Sequence, residues 1–374
     1  MRIARMFVTT SLIVAATALS ACSASSPAPV SASPGVTASP GVTASPGASA
    51  SPGATTRPTG TVTVLTHDSF AIPDATVKKF ESESGLTVKF VAAGDGGALV
   101  NQLVLTKDAP LADVVYGIDN SFASRVSDAG ILLPYASSAP AASSRITTGL
   151  PATTGLTAID FSDVCLNVDL TYFASHDIAA PKTFDDLLDL KYRDMVSVSN
   201  PATSSPGLAF LLATVAAKGD GWKDYWTALK ANGLRVTSSW SDTYYTDFSA
   251  PNYKGDRPIV LSYASSPPSE VIDGRPTTAA LLDTCFRQVE YAGILKGTKN
   301  VAGAQAVVDW MLSDDFQSQM PDSMYVYPVS DTASIPQAWL DYAPLSPKPW
   351  SMSPSDITKR RDDLVKEWTG LVLG

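Results

Sequence analysis

From residue 61 onward, the hydrophobic positions switch repeatedly between a spacing of two and a helical spacing. Thr61–Thr66 alternates β-branched and apolar residues and predicts a strand. Asp74–Ser84 predicts a helix that Gly85 stops. Thr87–Ala92 predicts a second strand. Leu99, Val100, Leu103 and Val104 recur at helical spacing within Gly97–Thr106. Ala112–Tyr116 predicts a third strand, followed by a helix through Val126. This βαβαβ order implies a parallel sheet with right-handed crossovers. Open α/β sheets take ligands at the carboxyl ends of their strands. The turns His67–Phe70, Gly94–Gly97 and Gly117–Asn120 fall there, so Asp68, Asp95 and Asp119 are expected to converge on one rim.

A second α/β series follows. Met195–Ser199 predicts a strand, and Asn200-Pro-Ala-Thr-Ser-Ser-Pro-Gly leads into an apolar helix at Leu208–Ala217. Ser205 before Pro206 reads as an N-cap and first-turn pair. Free N–H groups and two serine hydroxyls at that helix start have two readings: an anion or hydroxyl site, or a plain cap. Val236–Ser238 and Ile259–Ser262 predict further strands, with Trp240 and Tyr263 just past their ends. Ala304, Val307, Val308, Met311 and Leu312 mark an amphipathic helix. A last helix, Ile357–Val372, is expected to return to the second lobe. Thr61–Gly374 exceeds the size at which single cores stop growing, so two lobes are expected.

The first sixty residues follow none of these patterns. Arg2 and Arg5 precede a run, Met6–Ala18, that is almost wholly apolar or small, so 1–21 reads as a secretory signal. Leu19-Ser20-Ala21-Cys22 resembles a lipobox, in which the cysteine is lipidated. The alternative is an ordinary export signal with a chance cysteine. Ala-Ser-Pro-Gly begins at Ala32, Ala38, Ala44 and Ala50. Residues 22–60 cannot bury a core and read as a disordered tether. At roughly 3 Å per residue it reaches on the order of 100 Å, either beside a membrane partner or as a cell-wall spacer.

Charge sharpens this division. Of 27 basic and 36 acidic side chains, only Arg2, Arg5 and Arg57 precede residue 61, so the folded part carries 24 basic against 36 acidic. Such a chain lacks the electrostatic footprint of a nucleic-acid binder. His67 and His176 are the only histidines, which disfavours an imidazole-built metal centre or a Ser-His-Asp hydrolase. There is no G-x-S-x-G elbow, phosphate loop or H-E-x-x-H. The predicted rim offers carboxylates, hydroxyls and aromatic rings, a set that suits an organic cation. In an exported chain, Cys165 and Cys285 are expected to form a disulfide, against the alternative of two buried thiols.

Seven ordered runs carry a family resemblance. They are Val64-Leu-Thr-His-Asp-Ser-Phe, Ala93-Gly-Asp-Gly-Gly-Ala-Leu-Val-Asn-Gln-Leu, Ala112-Asp-Val-Val-Tyr-Gly-Ile-Asp-Asn, Pro201-Ala-Thr-Ser-Ser-Pro-Gly-Leu, Trp240-Ser-Asp-Thr-Tyr, Val260-Leu-Ser-Tyr-Ala-Ser-Ser-Pro and Met324-Tyr-Val-Tyr-Pro-Val. Together they resemble the thiamine-binding proteins of bacterial ABC importers, over nearly all of Thr61–Trp368. The resemblance implies an α/β, two-lobed periplasmic-binding-protein fold of type II, with the ligand in the interlobe cleft. It implies lobes of residues 61–164 plus 287–325 and 165–286 plus 326–374. It places Asp95 and Gly96 on the aminopyrimidine, Ser204 and Ser205 on the hydroxyethyl group or its phosphate, and Trp240, Tyr263 and Tyr325 on the rings. His67, with Asp68 beside it, stands where the family stacks a tyrosine. Asp74 and Ser269 stand where aromatic residues are expected, and Tyr244 or Tyr245 is the candidate replacement ring. Cys165 and Cys285 fall near the expected crossovers, Phe161–Val168 and Thr284–Tyr291.

The expected function is a receptor without a cofactor or catalytic residues. It is read as a monomer, anchored to the outer face of the membrane through Cys22. It would deliver thiamine or a thiamine phosphate to an importer permease. A receptor of the same fold for iron(III), a polyamine or an anion is the first alternative. A secreted glycosidase built on paired carboxylates is the second.

Overall fold

The period-two segment that opens the folded part forms strand β1, Gly60–Thr66, which begins one residue inside the expected tether. Helix α1, Asp74–Ser84, ends at Gly85 in the left-handed conformation, as the sequence predicts. Strand β2, Leu86–Ala92, lies parallel to β1. The computed structural model describes residues 57–374 apart from 138, 140–145, 147–149, 151–153 and 251–252. The export signal, Cys22 and the tether through residue 56 lie outside the described residues.

Helix α2, Gly96–Leu105, leads to strand β3, Val114–Asp119, parallel to β1 on its other side. The sequence places the end of β3 at Tyr116 and a turn at Gly117–Asn120. The strand instead continues to Asp119, because a distant strand pairs with its last residues, Asp119 facing Glu290 and Ile118 facing Tyr291. Helix α3 spans Ala123–Ala129.

Two long strands link the halves of the sheet. They are β4, Leu156–Asp169, and a late antiparallel partner at Phe286–Leu295. Between them come β5, Val196–Ser199; α4, Ser205–Lys218; α5, Trp222–Ala231; β6, Arg235–Thr237; and β7, Ile259–Tyr263. The late strand is therefore β8. The sheet runs β2-β1-β3-β8-β4-β7-β5-β6, with the short strands Leu132–Leu133, Thr278–Ala280 and Tyr327–Pro328 pairing off that path. Pairing is parallel within each flank and antiparallel where β8 and β4 meet their neighbours.

Burial follows the helix patterns. Helix α6, Val301–Met311, buries Ala304, Val307, Val308 and Met311 against Val62, Val64 and Val114. Helix α4 is buried along Ser205–Val215, in a core it shares with α5. The last helix, α7, Pro354–Val372, does more than return to the second half. Trp368 meets Trp226 of α5 edge-on at 5.3 Å, and the Arg361 guanidinium lies 5.5 Å over Phe122, just before α3. A single apolar cluster thus runs from Leu99 and Phe122 to Trp226, Leu261 and Trp368.

Cys165 and Cys285 are joined. Phe286 faces Val164 in the register, so Cys285, the residue just before β8, sits beside Cys165 of β4. Arg287 pairs with the fully buried Asp163 on the same two strands, and Ser346 N–H also donates to Asp163 at 2.7 Å. The bond closes a span of 120 residues. Opening it is expected to lower unfolding stability by about 2–4 kcal/mol. The check is the urea midpoint of Cys165→Ala/Cys285→Ala against the oxidised chain; coincident curves would count against the bond.

Candidate functional site

The node of the site is the Asp95 carboxylate. Asp95 caps α2, with Oδ1 accepting from Gly96 N–H at 2.5 Å and from Ser205 N–H at 3.3 Å. Oδ2 accepts from Trp240 N–H at 2.8 Å. One side chain thus ties the start of α2 to the start of α4 and to the loop after β6. Small residues make this approach feasible. A Cβ on Gly97 would fall 2.7 Å from the Thr203 carbonyl carbon, where Ala98 N–H now donates to Thr203 O at 3.0 Å. Burial pushes Asp95 up to about 6, and hydrogen bonds from Trp240, Ser204 and Gly96 oppose that rise.

This node changes the reading of the α4 start. Ser204, not Ser205, is the N-cap, and its Oγ accepts from Gly207 N–H at 3.3 Å. Ser205 N–H goes to Asp95, Pro206 has none, and Leu208 N–H goes to Ser204 O. The N–H groups expected to await an anion are therefore engaged, and the anion at this helix start is Asp95 itself.

His67 occupies the opposite wall. Its ring lies against β3 at Gly117, where a Cβ would fall 2.3 Å from Cδ2. Nδ1 pairs with Ser69 Oγ at 2.9 Å, while the buried Nε2 has no hydrogen-bond partner and lies 3.9 Å from Glu290 Oε2. Burial lowers His67 to about 4, so the ring is neutral at physiological pH. Beneath it, Tyr116 O–H donates to Asp160 Oδ2 at 2.5 Å. Burial raises Asp160 to about 7 and Glu290 well above the usual carboxylate range.

Aromatic rings complete the enclosure. A π-helical turn at Asp242–Asp247 has a wider repeat than an α-helix, so it can bring consecutive rings to one place. Tyr244 stacks on Trp240 at 5.2 Å, and Tyr245 meets the same indole edge-on at 5.4 Å. Tyr263 and Tyr325 lie 6.0 and 6.4 Å from it. Trp240 Nε1–H donates to Ser262 Oγ at 3.0 Å, which fixes the indole. Tyr325 has a left-handed backbone (φ 55°), a strained conformation that Ser265 supports by donating to its carbonyl.

These walls surround a cavity of about 200 Å³. Of the residues singled out from sequence, His67, Asp95, Gly96, Ser205, Trp240, Tyr263 and Tyr325 line it. Asp68 is exposed outside it, Ser204 is buried behind it as a cap, and Asp119 is buried at the end of β3. Of the two candidate replacement rings, Tyr245 lines the cavity, while Tyr244 lies behind Trp240 with its O–H donating to Glu270 at 3.3 Å. Sequence reasoning missed Ser69, Glu290 and Met324. Glu290 had a signal: a carboxylate inside a strand read as a buried crossover is costly without a purpose. No Lys or Arg lines the cavity among the described residues.

Residues 109–353 match the sequence profile of the family described as bacterial extracellular solute-binding protein. The chain belongs to that family. The thiamine-binding periplasmic protein of Brucella suis biovar 1 (strain 1330) is 29% identical over 324 residues, covering 82% of this chain and 91% of that one. The protein of the same name from Salmonella typhimurium is 28% identical over 317 residues, with 82% and 92% covered. A solved periplasmic thiamin binding protein superposes with a TM-score of 0.74 at 26% identity, covering 86% of this chain and 98% of that one. Iron-bound HitA from Pseudomonas aeruginosa, at 22% identity, 82% and 99% coverage and a TM-score of 0.59, shares the fold. The fold is that of a type II periplasmic binding protein, and the chain is a solute-binding protein rather than an enzyme.

The buried acids give this solute-binding protein a pH signature. Asp95 and Asp160 hold protons in the folded chain where unfolded carboxyls, near 3.9, have lost theirs. The stability they contribute is complete below about pH 4 and is lost as pH rises through about 6 and 7. His67 works the other way, since an unfolded imidazole protonates near 6.5 and the folded one only near 4. Asp119 and Glu290 are also raised, so four carboxyls outweigh one imidazole. The ligand-free protein is expected to melt several degrees higher at pH 5.5 than at pH 8. A midpoint that falls on this acidification would contradict the assignment.

Proposed function

We propose that this protein captures thiamine and hands it to an ABC importer while held at the membrane by lipidated Cys22. The observation that carries the ligand is the lining of the cavity: carboxyls and four aromatic rings, with no Lys or Arg among the described residues. Aromatic faces attract a cationic heterocycle by about 0.5–2 kcal/mol each, depending on desolvation. Trp240, Tyr245, Tyr263 and Tyr325 supply such faces, and His67 adds a neutral ring. Asp95 and Gly96 form the wall for the aminopyrimidine, and Ser205 stands at the hydroxyethyl end. Similarity to curated thiamine-binding proteins over 82% of the chain supports the same ligand.

The engaged N–H groups at the α4 start favour thiamine over its phosphates. A phosphate placed there would face the Asp95 carboxylate and find no Lys or Arg among the described lining residues. Delivery to a permease rests on the family resemblance, and anchoring on the sequence around Cys22.

Thermal shift and calorimetry on protein refolded free of ligand test this reading. Thiamine in excess is expected to raise the midpoint by several degrees, with its phosphates binding at least tenfold more weakly. Iron citrate, spermidine and sugars should leave the midpoint unchanged. Trp240→Ala should weaken thiamine at least tenfold. Absence of any shift with thiamine would remove the reading.

A further inference from the structure

Three acidic residues stand in a row across three adjacent strands. Glu290 of β8 is the direct register partner of Asp119 on β3 and of Asp160 on β4. Like charges directly opposite in a sheet destabilise it, and all three side chains are buried. Asp119 is well satisfied: Ser121 N–H and Phe122 N–H donate to Oδ1, and Gln288 Nε2–H donates to Oδ2 at 2.9 Å. Glu290 has weaker support: it shares a hydrogen bond with Asp160, the Tyr116 hydroxyl lies at 3.4 Å, and the His67 Nε2 lies at 3.9 Å, too long for a hydrogen bond. That Nε2 is itself buried, unpartnered and part of the cavity wall. The register of β8 also shifts at Glu290/Tyr291 against β4 and at Tyr291/Ala292 against β3, an irregularity of the kind that re-aims side chains at sites.

We propose that Glu290, backed by Asp160, is the counter-charge that selects a ligand carrying a permanently positive aromatic ring, and that such a ring displaces a proton shared by the two carboxyls. The inference rests on the thiamine reading and deepens it, because it names the part of the ligand that the cavity floor recognises. The groups facing Glu290 are Asp160 on β4, Asp119 and Tyr116 on β3, Asp95 at the start of α2, His67 after β1 and Tyr263 on β7. None of them is cationic when His67 is neutral. Arg287, the cation nearest in sequence, is paired with Asp163. An empty floor therefore holds a proton in place of a counter-ion, in keeping with the raised carboxyls. When a cationic ring arrives, the proton leaves a carboxyl oxygen for solvent or buffer and the ring takes its place. One positive charge replaces another and no covalent bond to the ligand forms. A neutral ring of the same shape would leave the proton where it is and gain no charge pairing.

Calorimetry of the folded chain with thiamine, in buffers of different ionisation enthalpy, reads the released proton directly. Release approaching one proton per ligand is expected near pH 6, and less at any pH high enough for the empty floor to have lost its proton already. Affinity should rise with pH by up to about tenfold per unit on the acid side. Glu290→Gln is expected to weaken thiamine at least tenfold and to abolish the release. It should change binding of an uncharged isostere, with thiophene in place of the thiazolium ring, less than threefold. Proton release by the wild-type chain keeps the test valid even if the variant does not fold. Wild-type binding of the neutral isostere as tight as that of thiamine, or unchanged affinity and release in Glu290→Gln, would overturn the counter-charge alone. No binding of thiamine to the wild-type chain would overturn the ligand reading as well.

Discussion

The pairing of β4 with β8 is the constraint on which the rest of the molecule depends. Each strand is hydrogen-bonded on both sides, β8 between β3 and β4, and β4 between β8 and β7. They carry the disulfide, the Asp163–Arg287 pair and the acidic residues of the cavity floor within one short stretch. A strand buried on both edges has no free backbone groups, so its register is set by its neighbours on either side. That register decides which side chains meet. It puts Cys285 beside Cys165 and Glu290 between Asp119 and Asp160. A slip of one residue would turn Glu290 away from the cavity and break the disulfide alignment together.

Around this frame, the site is assembled from segments far apart in sequence by short polar contacts. Asp95 binds backbone N–H groups at Ser205 and Trp240, and small residues at positions 96 and 97 let the two helix starts approach. Charged hydrogen bonds of this kind are stronger than neutral ones and tolerate little misplacement. The aromatic wall depends on them, because Trp240 is held by its backbone to Asp95 and by its indole to Ser262. The cavity is thus acidic and aromatic, with no Lys or Arg among the described residues that line it. The positive helix starts at α2 and α4 are already answered by Asp95.

The residues that were legible from sequence are those whose local context resembles a rule. The Asp95-Gly96-Gly97 turn sits where a strand ends and a helix begins, and both boundaries follow from spacing alone. Trp240 and Tyr263 follow predicted strand ends, and the family resemblance puts both rings at the ligand. Asp160 looks unremarkable in its own segment, and Glu290, though a carboxylate in an expected crossover strand is a signal, shows no purpose there. Their meaning comes from the partner opposite, which no local window contains. Tyr244 and Tyr245 show the same limit, since the π-helical turn that sends one ring behind Trp240 and the other into the cavity has no distinctive spacing.

By itself, the sequence determined the element order, the acidic and aromatic character of the cavity, and an N-terminal segment unlike the rest. These depend on period, charge and composition, which are local or additive quantities. Tertiary structure decided the length of β3, the engagement of the α4 start by Asp95, the two-sided packing of α7 and the row of carboxyls across β3, β8 and β4. Each of these depends on a contact between residues tens to hundreds of positions apart, and the energy of such a contact exists only once the chain has closed the loop between them.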